Sequence, residues 1–200
     1  MKSWSAITKK GKINTLENNL LTANTMTTLL YILIGIVVLI IFLGLIAPKS
    51  FNVSRSIDIA RSPSDVYNYV RFLQKQAEWS PWEKKDPNMA KQFEGTDGEV
   101  GAISKWQGNK DVGEGEQEIT NLVPNERVDA RLRFFKPWKS ESDAYMTTEN
   151  NGSGGTKFTW GFSGKNKFPF SIFMLFMNMD KAIGKDFDEG LTMLKERMES

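Results

Sequence analysis

Arg127-Val128-Asp129-Ala130-Arg131-Leu132-Arg133-Phe134 alternates without a break: Val128, Ala130, Leu132 and Phe134 share one face, and four charged residues share the other. A period of two with one wet face is what an antiparallel sheet over a single core produces. Toward the C-terminus the pattern recurs in Ser142–Thr148 and in Thr156–Ser163, joined by the Gly-rich loop 150–155. In the second of these, Phe158, Trp160 and Phe162 fall on one face. Toward the N-terminus come Glu114–Val123, Val100–Gln107 with Trp106, and a weaker candidate at Met89–Glu94 closed by the Asp97-Gly98 turn. Ser50–Ala60 supplies a further half-buried strand, with Val53, Ile57 and Ile59 together on one face.

Helices flank this meander. Ser62 suits an N-cap and Pro63 the first helical position, and Val66, Tyr69, Val70 and Leu73 follow at helical spacing, which predicts a helix over 63–73. Trp79-Ser80-Pro81-Trp82 lies in the connecting segment, where the two indoles are expected to close one end of the sheet. At the other end of the chain Ile183, Phe187, Leu191, Leu194 and Met198 form an apolar stripe on a long helix. A single sheet with one dry face needs a cover, and this helix is the longest apolar surface available. The expected class is therefore α+β, a helix-grip fold. A curved antiparallel sheet of about six to seven strands wraps around a long C-terminal helix.

Ahead of the domain stands a different kind of segment. No charged residue occurs between Asn18 and Pro48, and Leu29–Ile46 reads LLYILIGIVVLIIFLGLI. With its neighbours this makes about 20 apolar residues, enough to cross a hydrocarbon core. A cleaved signal peptide fits less well, because the run is too long and Leu45 occupies the −3 position before Ala47. The expected organisation is a disordered polar tail over 1–26, a single transmembrane helix over 27–47 and the helix-grip domain over 48–200. The protein is thus expected in a membrane, crossing it once. A start at Met26 favours a cytoplasmic C-terminal domain; a start at Met1 lets four lysines pull the N-terminus inward. The side on which the domain lies stays open.

Composition narrows the chemistry. The chain contains no cysteine and no histidine, which excludes disulfides, thiol chemistry, His-based triads and zinc sites built on either residue. The net charge of +2 hides an asymmetry. Lys2, Lys9, Lys10, Lys12 and Lys49 against Glu17 give the first 49 residues +4, leaving −2 for the rest. A faintly acidic domain is a poor nucleic-acid binder, so no nucleic-acid partner is expected.

The order of elements, and several short stretches within them, resemble the START-like, SRPBCC superfamily (the polyketide cyclase and lipid-transport group), in particular bacterial members with an N-terminal membrane helix. The residues that carry the resemblance begin with Val53-Ser54-Arg55-Ser56-Ile57 and Ser62-Pro63-Ser64-Asp65-Val66-Tyr67. Trp79-Ser80-Pro81-Trp82, Glu94–Gly101 and Trp106-Gln107-Gly108-Asn109 follow, then Gly154-Gly155-Thr156-Lys157, Gly184-Lys185-Asp186-Phe187 and Gly190-Leu191. The resemblance covers about residues 48–198 and rests on order and spacing. It implies an interior cavity holding a small hydrophobic or amphipathic ligand, and no particular reaction. No cofactor and no metal is implied, and the oligomeric state is left open.

Within that frame the expected ligand-binding residues are Trp79, Trp82, Trp106, Phe134, Tyr145, Phe158, Trp160, Phe173, Phe176 and Met177. The charge-free segment Phe168–Met179 (FPFSIFMLFMNM) has three readings: core packing at the start of the final helix, an adaptable cavity wall, or a surface laid on the bilayer. No catalytic residue is nominated. Glu116 and Glu118 share a strand face and could act as an acid–base pair if aimed inward, but the apolar Ile119 argues that Gln117 and Ile119 take the inner face. Arg133 falls on the wet face, where cross-strand pairing is its expected task. A polyketide-cyclase-like enzyme using a cavity carboxylate and a protein-interaction module are the alternatives to a ligand-binding domain.

Overall fold

The computed structural model describes residues 4–200 and, in its first helix, the side chains from Leu21 onward except Ala23. The chain divides into two compact units, residues 1–47 and Pro48–Ser200.

The first unit is a helix, α1 (Trp4–Ile46). It runs through the stretch expected as a disordered tail, of which residues 1–3 lie outside the described residues. Nothing between Trp4 and Asn24 forbids a helix: there is no proline, and Gly11 with several Asn and Thr residues lowers the propensity without breaking it. Its Asn24–Ile46 portion is long and apolar enough to cross a membrane, with its described side chains largely uncovered on every side.

The second unit is the helix-grip domain. Its strands are β1 (Ser50–Ile59), β2 (Ala90–Glu94), β3 (Ile103–Gln107), β4 (Glu114–Val123), β5 (Arg127–Lys136), β6 (Ser140–Asn150) and β7 (Thr156–Lys165). They form one antiparallel seven-stranded sheet in the order β1-β7-β6-β5-β4-β3-β2. Between β1 and β2 lie α2 (Pro63–Val70), a 3-10 turn (Lys75–Glu78) and α3 (Pro81–Lys85). Ser62 caps α2 as its sequence demands, its hydroxyl oxygen accepting from the Asp65 amide at 3.2 Å. That helix is shorter than expected, and Asp97 takes over beyond it by accepting from the amides of Leu73 and Gln74. Strand β3 also starts later than expected, because Gly101 adopts φ 89° in a turn and Val100 is exposed.

The final helix α4 (Met179–Glu199) begins where the Asn178 side chain accepts from the Lys181 amide. Phe187, Leu191 and Leu194 bury its apolar stripe against Val53, Ile59, Phe158 and Met146. The segment before it is not its first turns. Phe170–Leu175 is a separate 3-10 element that stands outside the core.

Candidate ligand site

Strand register decides which side chains can meet a ligand. On β1 the inner positions are Phe51, Val53, Arg55, Ile57 and Ile59, facing Gly164, Phe162, Trp160, Phe158 and Thr156 of β7. Pairing carries this face through Ser142, Ala144, Met146 and Thr148 of β6 to Val128, Ala130, Leu132 and Phe134 of β5. Gln117 and Gly115 continue it on β4, and Ser104 and Trp106 on β3. Among the described strand residues this inner face holds no carboxylate. Glu116 and Glu118 lie on the outer face, where Arg133 donates to them at 2.8 and 2.7 Å and is itself held protonated above its usual range by those two bonds.

The nominated side chains do not share one site. Trp160 sits at the centre of a first group: it stacks on Phe187 with ring centroids 4.3 Å apart and takes the edges of Trp79 at 4.9 Å and Trp82 at 5.5 Å. The indole N–H of Trp79 is buried without a hydrogen-bond partner, a donor that water or a bound polar atom would satisfy. The second group is a chain of rings along the sheet, Trp106 to Phe134 to Phe162 to Phe51, with centroid separations of 5.8, 6.5 and 5.1 Å. Phe158, fully buried among Ile59, Leu191 and Leu194, is a core residue.

The remaining four nominations depart from expectation. Tyr145 is on the outer face: its ring lies across Gly161, which has no side chain to resist it, and the Arg127 guanidinium covers it at 4.7 Å. Phe173, Phe176 and Met177 do not face the interior with Trp160. They are 63%, 82% and 51% exposed, because the chain leaves the sheet at Lys165 and this segment turns Ser171, not these side chains, toward the protein.

Phe176 and Met177 instead border a cleft of about 400 Å³ at one end of the sheet. Its other walls include Phe51, Met174, Leu175 and Met179, with Pro48 and Ser50 at its rim. The cleft is fixed by hydrogen bonds from Asn166, whose amide donates to the Lys49 carbonyl at 2.9 Å and whose side chain donates to the Pro48 carbonyl at 3.1 Å. Flexible methionines and phenylalanines make a wall that adapts to irregular apolar molecules. Phe51 and Met179 join this cleft to the ring chain, since both pack against Phe162 and its neighbours.

Phe51, Met179 and Arg55 were missed as site residues. Phe51 and Arg55 share the parity of Val53 and Ile57, so the alternation already placed them inward. Arg55 escapes burial of its charge by reaching across α4 at Gly184, where a Cβ would collide with the guanidinium. There it donates to both oxygens of Asp180 at 2.8 and 2.9 Å and to Asp188 at 3.4 Å. The Arg55 bond holds the Asp180 carboxyl below the usual carboxylate range.

Residues 50–199 match the family model described as polyketide cyclase/dehydrase and lipid transport. Solved structures of similar fold include a protein from Chromobacterium violaceum (TM-score 0.53, 16% identity, covering 76% of this chain and 99% of that one). The major latex-like protein 151 of Panax ginseng is also similar (TM-score 0.55, 10% identity, 76% and 99% covered). So is the di-domain ARO/CYC protein BexL of the BE-7585A biosynthetic pathway (TM-score 0.56, 13% identity, 80% and 53% covered). No curated protein sequence is significantly similar to this one.

Proposed function

The chain belongs to the polyketide cyclase/dehydrase and lipid-transport family, and on that premise we propose that it is a membrane-anchored domain that binds a small hydrophobic or amphipathic molecule. Residues 27–47 are the anchor in this reading. The cleft between the start of β1 and the segment before α4 is where the ligand is received. The observation that carries the proposal is the wall of that cleft: Met174, Leu175, Phe176, Met177 and Met179 in one short stretch, open to the outside. A volume of about 400 Å³ lies within the usual range for small-molecule sites. The packed aromatic group around Trp160 leaves the cleft as the better receiving site than the interior beside that ring.

The test is lipid recovery from the intact chain. Purified in mild detergent and exchanged into nanodiscs, it is expected to bind a fluorescent fatty acid saturably. It is also expected to retain that probe, or a co-purified lipid, through mass spectrometry under native conditions. Non-saturable partitioning equal to that of empty nanodiscs would overturn the proposal.

A further inference from the structure

We propose that the end of the domain carrying Trp138 and Phe168–Met177 docks on an anionic bilayer surface, with these side chains inserted among the lipid headgroups. This rests on the reading of residues 27–47 as a membrane span and adds a second, independent contact to it.

The argument begins with where apolar side chains are left uncovered. In the helix-grip domain the exposed large hydrophobics are Phe93, Val100, Phe135, Trp138, Phe168, Phe170, Phe173, Phe176 and Met177. Register gathers all but the first two at one end of the sheet. Ser50 opposes Lys165, Ser142 opposes Gly164, and Ser140 opposes Phe134. The start of β1, the end of β7, the start of β6 and the end of β5 therefore meet there. The β5–β6 hairpin presents Trp138, 71% exposed, and the chain leaving β7 presents Phe168 through Met177. Soluble surfaces rarely keep so many large apolar side chains together without a partner.

Chain connectivity names the partner. Pro48, at the rim of this same end, follows α1 with only Ala47 between, and each residue spans at most about 3.6 Å. Wherever the apolar helix leaves a bilayer, this end of the domain starts within a few residues of the headgroups. Charge agrees with that partner. Lys49, Lys139, Lys165 and Lys167 lie in the strand ends and connections at this end, all exposed and none in an ion pair among the described residues; Lys136 is paired with Glu114, and the exposed acid beside the β6 start, Glu141, is paired with Arg131. Lysines flanking inserted aromatics favour anionic headgroups, and Trp and Phe settle about 5–10 Å into the interface. Docking would also turn the mouth of the Phe176–Met177 cleft toward the lipid from which an apolar ligand partitions.

The natural sequence lacks cysteine, so single labels report position cleanly. Full-length Trp138→Cys, Phe176→Cys, Val100→Cys and Leu39→Cys, each spin-labelled, would be reconstituted into phosphatidylcholine/phosphatidylserine vesicles. Their accessibility to oxygen and to a nickel chelate would then be compared. All four positions are exposed, so labelling leaves the core intact. The oxygen-to-nickel ratio is expected to be severalfold higher at 138 and 176 than at 100, and to fall when phosphatidylserine is omitted or salt is raised. A lipid-embedded label at 39 with water-exposed labels at 138 and 176 overturns the docking and leaves the span standing. A water-exposed label at 39 overturns the span, and the labels at 138 and 176 then judge the docking separately. Protection at 138 and 176 that grows with protein concentration and persists without lipid overturns the docking in favour of a second copy.

Discussion

Trp160 of β7 and Phe187 of α4 lie face to face, with ring planes 11° apart and centroids 4.3 Å apart. That stack ties the sheet to the helix that crosses it, and the edges of Trp79 and Trp82 complete the enclosure. Trp160→Ala is therefore expected to behave as a core truncation, costing about 3–5 kcal/mol in denaturant unfolding. A double-mutant cycle with Phe187→Leu should show a coupling of about 0.5–1.5 kcal/mol. A loss well below 1 kcal/mol would mean that the ring lines a void.

Two glycines of α4 should respond oppositely to alanine. At Gly190 a Cβ would lie 2.9 Å from the Trp160 ring and 3.1 Å from Pro81, neither of which can swing away. Overpacking of about 1–3 kcal/mol then outweighs the gain of about 1 kcal/mol in helix propensity, so Gly190→Ala should lower Tm. At Gly184 the Cβ meets the flexible Arg55 guanidinium, which must leave bonds to Asp180 and Asp188 that solvent screens, against a gain of about 1 kcal/mol in helix propensity. Gly184→Ala should leave Tm unchanged or raise it, as thermal melts of the two variants will show.

Acid should destabilise the domain through three exposed carboxylates. The Arg55 bond lowers Asp180, the Tyr69 hydroxyl with Arg197 lowers Glu78, and the Lys195 bond lowers Glu199. A carboxyl with a depressed folded pKa binds its proton more weakly than in the unfolded chain. Its contribution is present above the unfolded value and is lost as pH falls through the folded one. Melting temperature is expected to fall from about pH 4 downward, and Asp180→Asn should flatten that fall in a pH series.

Blocking the cleft should separate binding from folding. Ser50 is exposed and lines it together with the methionine-rich stretch. Ser50→Trp is expected to fill part of the cleft and weaken fatty-acid binding roughly tenfold, or 1.4 kcal/mol, with Tm unchanged in the same preparation.

The membrane anchor has a simpler test. The full chain should stay in the pellet through carbonate and high-salt washes. Replacing both Ile36 and Ile40 with Arg should add roughly 5–7 kcal/mol to insertion and release a share of the chain to the supernatant.

Much of the fold could be read from the chain. The faces of β5 and β7, the cap at Ser62, the apolar stripe from Phe187 to Leu194 and the outward direction of Glu116 and Glu118 all follow from local periodicity. Periodicity is set by backbone geometry at each residue, and so it is written locally. The candidate site was only partly legible. Parity put Phe134, Phe158 and Trp160 on the inner face, and the same rule pointed to Phe51, Arg55 and Trp106. It could not tell a packed ring from one bordering a cleft.

What the sequence alone determined was the α+β helix-grip class, the membrane-length apolar segment, and the absence of His and Cys chemistry. Each depends on composition or on a period of two or 3.6 residues. The tertiary structure decided that Phe173, Phe176 and Met177 stand outside the core, that Tyr145 lies over Gly161, and that Arg55 reaches Asp180 across Gly184. Those outcomes depend on what fills the space opposite a side chain, and its occupants come from residues far away in the sequence. An apolar run states that it must be covered; only packing decides whether the cover is the protein's own core.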